Sequence, residues 1–288
     1  MSGLTTFDLD DTGKIDLHTI YDQPDPRGYY QTLGNLDYQI PAVAAPVFRK
    51  IIDARRKLRK RRKATLLDVG SSYGVNAAIL RNGIDLSDLF RLYSRRLTKD
   101  LSRSELVARD QMLFSATCAD KDLTAIGLDV AGEAVGYAEE VGVIDTGLTA
   151  NLEKRLPTAD EGKVIAPVDL IISTGAIGYV GAPTFARILD RSGKAPWFAL
   201  FALRMFPLDD IAAMLKKRGY SVYRLLGRTF RQRRFASREE AQQVIARLEA
   251  LGIDPAGHEA DGWYHADFYF ARREEEEGPP PVQGLTPA

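Results

Sequence analysis

The chain contains one cysteine, Cys118, and three histidines, His18, His258 and His265, in 288 residues. A lone cysteine closes no internal disulfide and builds no cysteine-rich zinc site. Three scattered histidines do not make a multi-histidine metal centre, so no metal is expected. No apolar run approaches the ~18 residues of a membrane span, and no N-terminal stretch has signal-peptide form. With the cysteine count, this reads as a reducing, cytoplasmic setting with no membrane partner. An excess of one charge is also lacking. Lys+Arg and Asp+Glu both number 39, so no global basic field recruits nucleic acid or anionic lipid. No internal repeat of solenoid spacing is present.

What remains is ordinary globular material. The 45% apolar and 27% charged residues exclude a collagenous, wholly disordered or disulfide-dense chain. The length gives ample interior for a packed core.

The first forty residues read as irregular, because Tyr21-Asp-Gln-Pro-Asp-Pro-Arg27 is rich in turn formers. A helix is expected from Pro46, through Val47, Ile51 and Ile52, into the basic run Arg55–Lys63. Ala64–Val69 then reads as a buried strand, Gly70–Gly74 as a tight loop, and Val75–Arg81 as a helix with Gly83 as its C-cap. Residues 84–120 form a polar helical insertion, in which Ser102 and Glu105 make a capping box. Strand patterns recur at Leu123–Val130, Val168–Thr174 and Trp197–Phe206. Helical patterns separate them at Gly132–Val141, Pro183–Asp190 and Leu208–Arg218. This alternation predicts βαβ units and a mainly parallel sheet. Strands are also expected at Ser221–Leu226 and Ala266–Ala271, with a helix capped by Ser237 between them. The acidic, proline-rich tail 274–288 is expected to be disordered. The expected divisions are an N-terminal cap, 1–63, a binding domain, 64–273, and that tail.

Asp68-Val-Gly70-Ser-Ser72-Tyr-Gly74 lies between a strand and a helix. Its glycines permit close backbone approach to a ligand, and the following helix begins with free N–H groups. The spacing is G-x-x-x-G, not the G-x-G-x-x-G of a dinucleotide site. Asp68 would repel a pyrophosphate and suit an ammonium group. Asp129, ending the next strand pattern, can accept hydrogen bonds from both hydroxyls of a ribose. A nucleoside with a cationic amino-acid arm, S-adenosylmethionine, meets both demands.

These residues resemble the class I S-adenosylmethionine-dependent methyltransferases. Leu66–Gly74 looks like the first motif of that family, and Ile126–Asp129 resembles the second. Asn151-Leu152-Glu153 stands where the family commonly has an acid beside the adenine. Val168–Gly175 resembles the fourth-strand motif under the methionine arm. The resemblance covers about residues 64–273 and implies a Rossmann-like, mostly parallel seven-stranded sheet closed by an antiparallel hairpin. It implies cofactor contacts at Asp68, Gly70, Ser72, Tyr73, Gly74, Asp129, Val130, Asn151, Leu152, Ser173, Thr174 and Gly175. Two positions depart from the pattern: Ser72 replaces the usual middle glycine, and Asn151 replaces the acid. Asp68 and Asp129 are also 61 residues apart, which the insertion 84–120 accounts for.

Ligands of open α/β sheets lie beyond the carboxyl ends of the strands. That selects the loop Gly175–Tyr179, with Tyr179 as a reacting-side residue, and Arg204, whose guanidinium suits a substrate carboxylate. It also selects Tyr21, Tyr29, Tyr30 and Tyr38, which could wall a sulfonium, or simply pack the cap. His265 is the best imidazole for a general base. His258 and Glu259 fall in a loop with no evident partner. The run Arg55–Lys63, with eight basic residues in nine, could bind RNA phosphates, as could the weaker cluster Arg231, Arg233 and Arg234. No aromatic residue interrupts the run to stack a base, so a solvated helix end is expected. The favoured reading is methyl transfer to a small molecule. The alternatives are RNA methylation, other chemistry of the sulfonium, and a cofactor-binding partner without catalysis.

Overall fold

The computed structural model describes residues 18–288; the earlier part of the expected irregular segment, and the His18 side chain, lie outside the described residues. Nine strands form one sheet: β1 (Ala64–Val69), β2 (Leu123–Asp129), β3 (Thr146–Thr149), β4 (Leu170–Ser173), β5 (Trp197–Leu203), β6 (Tyr220–Leu225), β7 (Phe230–Arg234), β8 (Trp263–Arg273) and β9 (Leu285–Pro287). Their order is β3-β2-β1-β4-β5-β8-β6-β9, with β7 pairing beside β8. The first five strands run parallel. β8 is inserted antiparallel between β5 and β6. This is the Rossmann-like α/β sheet with an antiparallel end, extended from the expected seven strands by β7 and β9.

β5 reads Trp-Phe-Ala-Leu-Phe-Ala-Leu and is buried at every position. A central strand covered on both faces has no polar side to show, so it runs apolar instead of alternating. β1 and β4 are neighbours, and the chain winds outward from them in opposite directions. The crevice above their carboxyl ends is therefore the topological switch point, where ligands of such sheets bind.

Register also fixes which face each side chain takes. Asp68 aligns with Ile172, Ile172 with Ala199, and Ala199 with Phe270. These four share one face, together with Phe201 and Phe268, because side chains alternate along a strand. On that face Phe201 meets Phe48, Phe230 and Phe268 at ring centroids of 5.4, 4.9 and 4.8 Å. Each such fully buried ring contributes about 1.5–3 kcal/mol.

Phe48 belongs to the helix Ile40–Arg59, which begins six residues before the expected start. Pro41 occupies its first turn, where the missing N–H costs nothing, and Pro46 lies within the helix instead of opening it. Arg27–Asn35 is also helical, where irregular chain was expected. Pro24 and Pro26 disturb only the residues before it, and Tyr29, Tyr30 and Leu33 form its buried face. The insertion folds as Leu86–Leu92, Arg95–Thr98 and Arg103–Ala116, the last opened by the expected Ser102–Glu105 capping box.

The tail departs from the expected disorder. Leu285–Pro287 pairs with β6, and Glu276 receives hydrogen bonds from Arg55 and the Trp197 indole. No helix among the described residues is long and apolar enough to cross a membrane.

Candidate functional site

The loop after β1 turns through three left-handed residues, Gly70 (φ 81°), Ser72 (φ 46°) and Gly74 (φ 75°). A Cβ on Gly70 would stand 2.4 Å from the Ala176 Cβ, so only glycine lets the β1 and β4 loops approach this closely. Ser72 takes the left-handed region without being glycine. Its N–H donates to Asp129 Oδ2 at 2.8 Å, which compensates the unfavourable φ. Asp129 Oδ1 accepts from the N–H groups of Val130 at 2.7 Å and Ala131 at 3.1 Å. Asp129 therefore locks the glycine loop to the end of β2. Burial pushes its pKa up, against the three N–H donors that favour the ionised form.

Asp68, at the fifth position of β1, is buried. Its carboxylate oxygens each lie 3.1 Å from Asn76 Nδ2, which is also 3.1 Å from Thr174 Oγ1 on the β4 loop. No cation pairs with this carboxylate among the described residues. Burial pushes its pKa up to about 7, with the Asn76 hydrogen bond opposing and the nearby Asp129 charge assisting. A buried acid without a counter-ion is costly to a fold and is characteristic of sites that wait for a charged ligand. Asn76 was missed from sequence, although it is the one polar residue in the helix Val75–Leu80.

A tyrosine cluster roofs this crevice. Tyr29 meets Tyr21, Tyr30, Tyr38 and Tyr73 at ring centroids of 5.4, 5.2, 6.5 and 5.4 Å. Edge-on pairs of this kind contribute about 0.5–1.5 kcal/mol each beyond area burial. The Tyr38 hydroxyl bonds Tyr29 and Thr174, and it senses the Asp68 charge. Tyr21 stands in the fields of Arg233 and Asp129, and burial holds its hydroxyl up at about 12. Tyr21, Tyr29 and Tyr38 thus come to the site. Tyr30 faces away, stacked on Tyr93 at 4.4 Å with its edge against Phe90. Tyr73 does not reach outward to a cofactor: its hydroxyl donates to the Gln23 carbonyl at 2.8 Å and accepts from the Gln23 N–H at 3.0 Å. That exchange pins the cap to the glycine loop.

The remaining expected site residues divide. Ser173, Thr174 and Gly175 close the β4 side of the crevice, and Ser173 and Thr174 are buried. Asn151 Oδ1, expected at the adenine, accepts the Lys154 N–H at 3.1 Å. Leu152 is buried and Val130 is exposed. Glu153 is taken by the Gly181 N–H and the Thr184 hydroxyl, at 3.0 and 2.6 Å. Tyr179 lines an open cavity of about 780 Å³ with Phe206, Met214 and Lys217, which none of Asp68, Gly70, Asp129 or Thr174 touches.

Two expected reacting residues are placed elsewhere. Arg204 does not wait for a carboxylate: its Nη1 lies 2.6 Å from Glu259 Oε2 and its Nη2 donates to the Asp254 carbonyl at 2.8 Å. Glu259, expected to lack a partner, is that buried partner. His265 is an odd number of residues from Phe270 on β8, so it points to the face opposite Asp68. There its Nδ1 meets the Thr229 hydroxyl at 2.8 Å, and burial pulls its pKa down to about 4. Four of the eight basic residues of the run are likewise engaged. Arg55 and Arg59 bind the Lys194 carbonyl before β5, Arg56 pairs with Asp120, and Arg62 pairs with Asp122. All these partners precede strands, at the edge of the sheet opposite the crevice.

The residues fit an adenosylmethionine-type ligand on the evidence of unused polar atoms. Ser71 Oγ and Ser72 Oγ in the glycine loop, and Ser173 Oγ at the end of β4, are buried and have no hydrogen-bond partner among the described residues. Such atoms cost about 1–3 kcal/mol each when left unsatisfied.

No family model matches the chain, and no curated protein sequence matches it. Solved structures resemble it at low identity. The YcgJ protein of Bacillus subtilis is 14% identical over 75% of this chain and 94% of its own, with a TM-score of 0.41. A TehB-like SAM-dependent methyltransferase of Corynebacterium glutamicum is 13% identical over 81% and 98%, with a TM-score of 0.38. Phosphoethanolamine N-methyltransferase 2 of Haemonchus contortus is 13% identical over 74% of this chain but 49% of its own, with a TM-score of 0.36.

Proposed function

We propose that this chain is an S-adenosylmethionine-dependent methyltransferase acting on a small molecule. The observation that carries this reading is the buried, cation-free Asp68 at the end of β1, facing the glycine loop that Asp129 locks from β2. When bound, the sulfonium group supplies an activated methyl carbon, which an acceptor lone pair takes while the carbon–sulfur electron pair stays on sulfur. Asp68 would hold the ammonium of the methionine arm, and Asp129 the ribose. The Ser71, Ser72 and Ser173 hydroxyls would meet the polar edges of the ligand. Tyr21, Tyr29 and Tyr38 exclude water from the crevice, and aromatic faces tolerate a nearby cation. Catalysis then rests on positioning, which accords with the lack of an imidazole on the Asp68 face among the described residues.

RNA methylation is not favoured, because the engaged residues of the basic run hold it at the edge of the sheet opposite the crevice. Calorimetric titration with adenosylmethionine, adenosylhomocysteine and NAD tests the reading. Binding of both adenosyl ligands without NAD supports it; binding of NAD alone overturns it.

A further inference from the structure

We propose that Gln232 is the acceptor-reading residue of this site, and that the acceptor it reads is a small amine. The proposal rests on the methyltransferase reading and deepens it.

Gln232 comes from β7, one of the two strands beyond the expected sheet. β7 pairs antiparallel with the N-terminal part of β8. Its backbone is stitched to the cap: the Gln39 N–H donates to the Gln232 carbonyl at 2.8 Å, and the Arg234 N–H donates to the Leu36 carbonyl at 2.8 Å. The Gln232 side chain lies directly on Gly175, whose Cβ, if it had one, would stand 2.7 Å from Gln232 Nε2. Gly175 follows Thr174, the residue that joins Asn76 and Tyr38 beside Asp68. Gln232 thus stands at the β4 end of the crevice, the side left for an acceptor once Asp68 and Asp129 hold the two arms of the cofactor. Gln232 is 95% buried, yet its Oε1 has no hydrogen-bond partner among the described residues. A buried carbonyl oxygen kept unpaired there is an acceptor for a donor that the protein does not supply.

Charge narrows the class of acceptor. Arg233, the neighbouring cation, is fully engaged by Glu240, at 2.7 and 3.0 Å. Arg204 is engaged by Glu259. Neither guanidinium is left for an acidic acceptor, and the neighbouring Arg228 and Arg231 lie over the Phe230 and Trp263 rings. With Asp68 and Asp129 assigned to the cofactor, the polar group left over is the Gln232 carbonyl, which favours an N–H-bearing partner. An amine also reacts without a protein base. The amine attacks as the free base, having given its ammonium proton to water; its lone pair forms the bond to carbon, the carbon–sulfur pair stays on sulfur, and the product is the methylated ammonium.

Sinefungin tests this without knowing the acceptor. It is an adenosylmethionine analogue that carries an amine-bearing carbon in place of the methylsulfonium, so its amine reports on the acceptor side. The full chain and its Gln232→Met and Gln232→Glu variants are titrated with adenosylhomocysteine and sinefungin. We expect Gln232→Met to keep adenosylhomocysteine affinity and to weaken sinefungin about tenfold, one charge-assisted hydrogen bond. Gln232→Glu should tighten sinefungin relative to adenosylhomocysteine. Equal loss of both ligands would show a merely structural Gln232, and unchanged sinefungin binding would place it away from the acceptor; either overturns the proposal. Wild-type protein that binds neither ligand overturns the cofactor reading and this proposal with it. In a parallel incubation with methyl-labelled adenosylmethionine and small amines, alcohols or carboxylic acids, label should enter amines. Label confined to acids overturns the choice of class.

Discussion

Asn76 donates to both carboxylate oxygens of Asp68, at 3.1 Å each, and is the sole hydrogen-bond partner of that carboxylate among the described residues. An amide solvates an anion without neutralising it. The ligand-free protein therefore keeps a charge-seeking acid at its switch point.

Asp68→Asn should separate stability from binding. The Asp68 pKa rises from 3.8 to about 7 on folding. Between those values the unfolded chain is ionised and the folded one is not, so this group lowers stability as pH rises from 4 to 7, with no further change above. The variant lacks that slope and should gain on the order of 4 kcal/mol over wild type at pH 8 relative to pH 4. Adenosylmethionine affinity should fall at least tenfold, about 1.4 kcal/mol. Thermal melts and calorimetry across pH 4–8 check both, and parallel pH profiles for variant and wild type would refute the assignment.

Asp129→Ala removes three backbone hydrogen bonds together with the expected ribose acceptor. We expect about 1–3 kcal/mol loss of unfolding free energy. Cofactor affinity should drop by about 1.5–3 kcal/mol, the value of charge-assisted hydrogen bonds. Asp129→Asn should recover part of the stability and less of the binding. Denaturant titration beside calorimetry separates the two losses; an Ala variant with unaltered affinity rules out ribose contact.

His265→Ala should leave adenosylhomocysteine affinity within about twofold of wild type, a difference of about 0.4 kcal/mol. The imidazole faces away from Asp68, so its removal affects only local packing with Thr229 and His258. Loss of cofactor binding with an intact fold by circular dichroism would mean that the two faces communicate.

Replacing Arg59, Lys60, Arg61 and Arg62 with Ser should leave total-RNA binding weak and unchanged at two salt concentrations. Arg59 and Arg62 already have partners, in exposed pairs that contribute about 0–1 kcal/mol. Tight, salt-dependent RNA binding by the wild type that the variant loses would restore the RNA reading, with a salt slope flattened by roughly 0.7 per lost contact.

Much of this architecture is legible locally. β5 is a continuous apolar run, β1, β2 and β4 are largely apolar, and Gly70 and Gly74 punctuate the loop, so neighbouring residues suffice to find them. β3 is only Thr146–Thr149, too short for any period to register. The helix Arg27–Asn35 was hidden behind Pro24 and Pro26, whose influence ends where it begins. The orientation of His265 was not readable, because it depends on pairings through β4, β5 and β8 back to Asp68. Arg204 follows an apolar strand with no acid beside it, while its partner Glu259 lies 55 residues later. Gln232 gave no sequence signal at all between two arginines.

The insertion of β8 between β5 and β6 constrains the order of assembly. β6 and β7 emerge from the ribosome before the strand that joins them to the sheet, and must wait, unpaired, for residues 263–273. Until then the all-apolar β5 presents an open edge, the kind of template that recruits other chains. A chain cut before Trp263 would keep the cofactor-side residues and lose solubility, so aggregation, not inactivity, should be the first symptom of truncation.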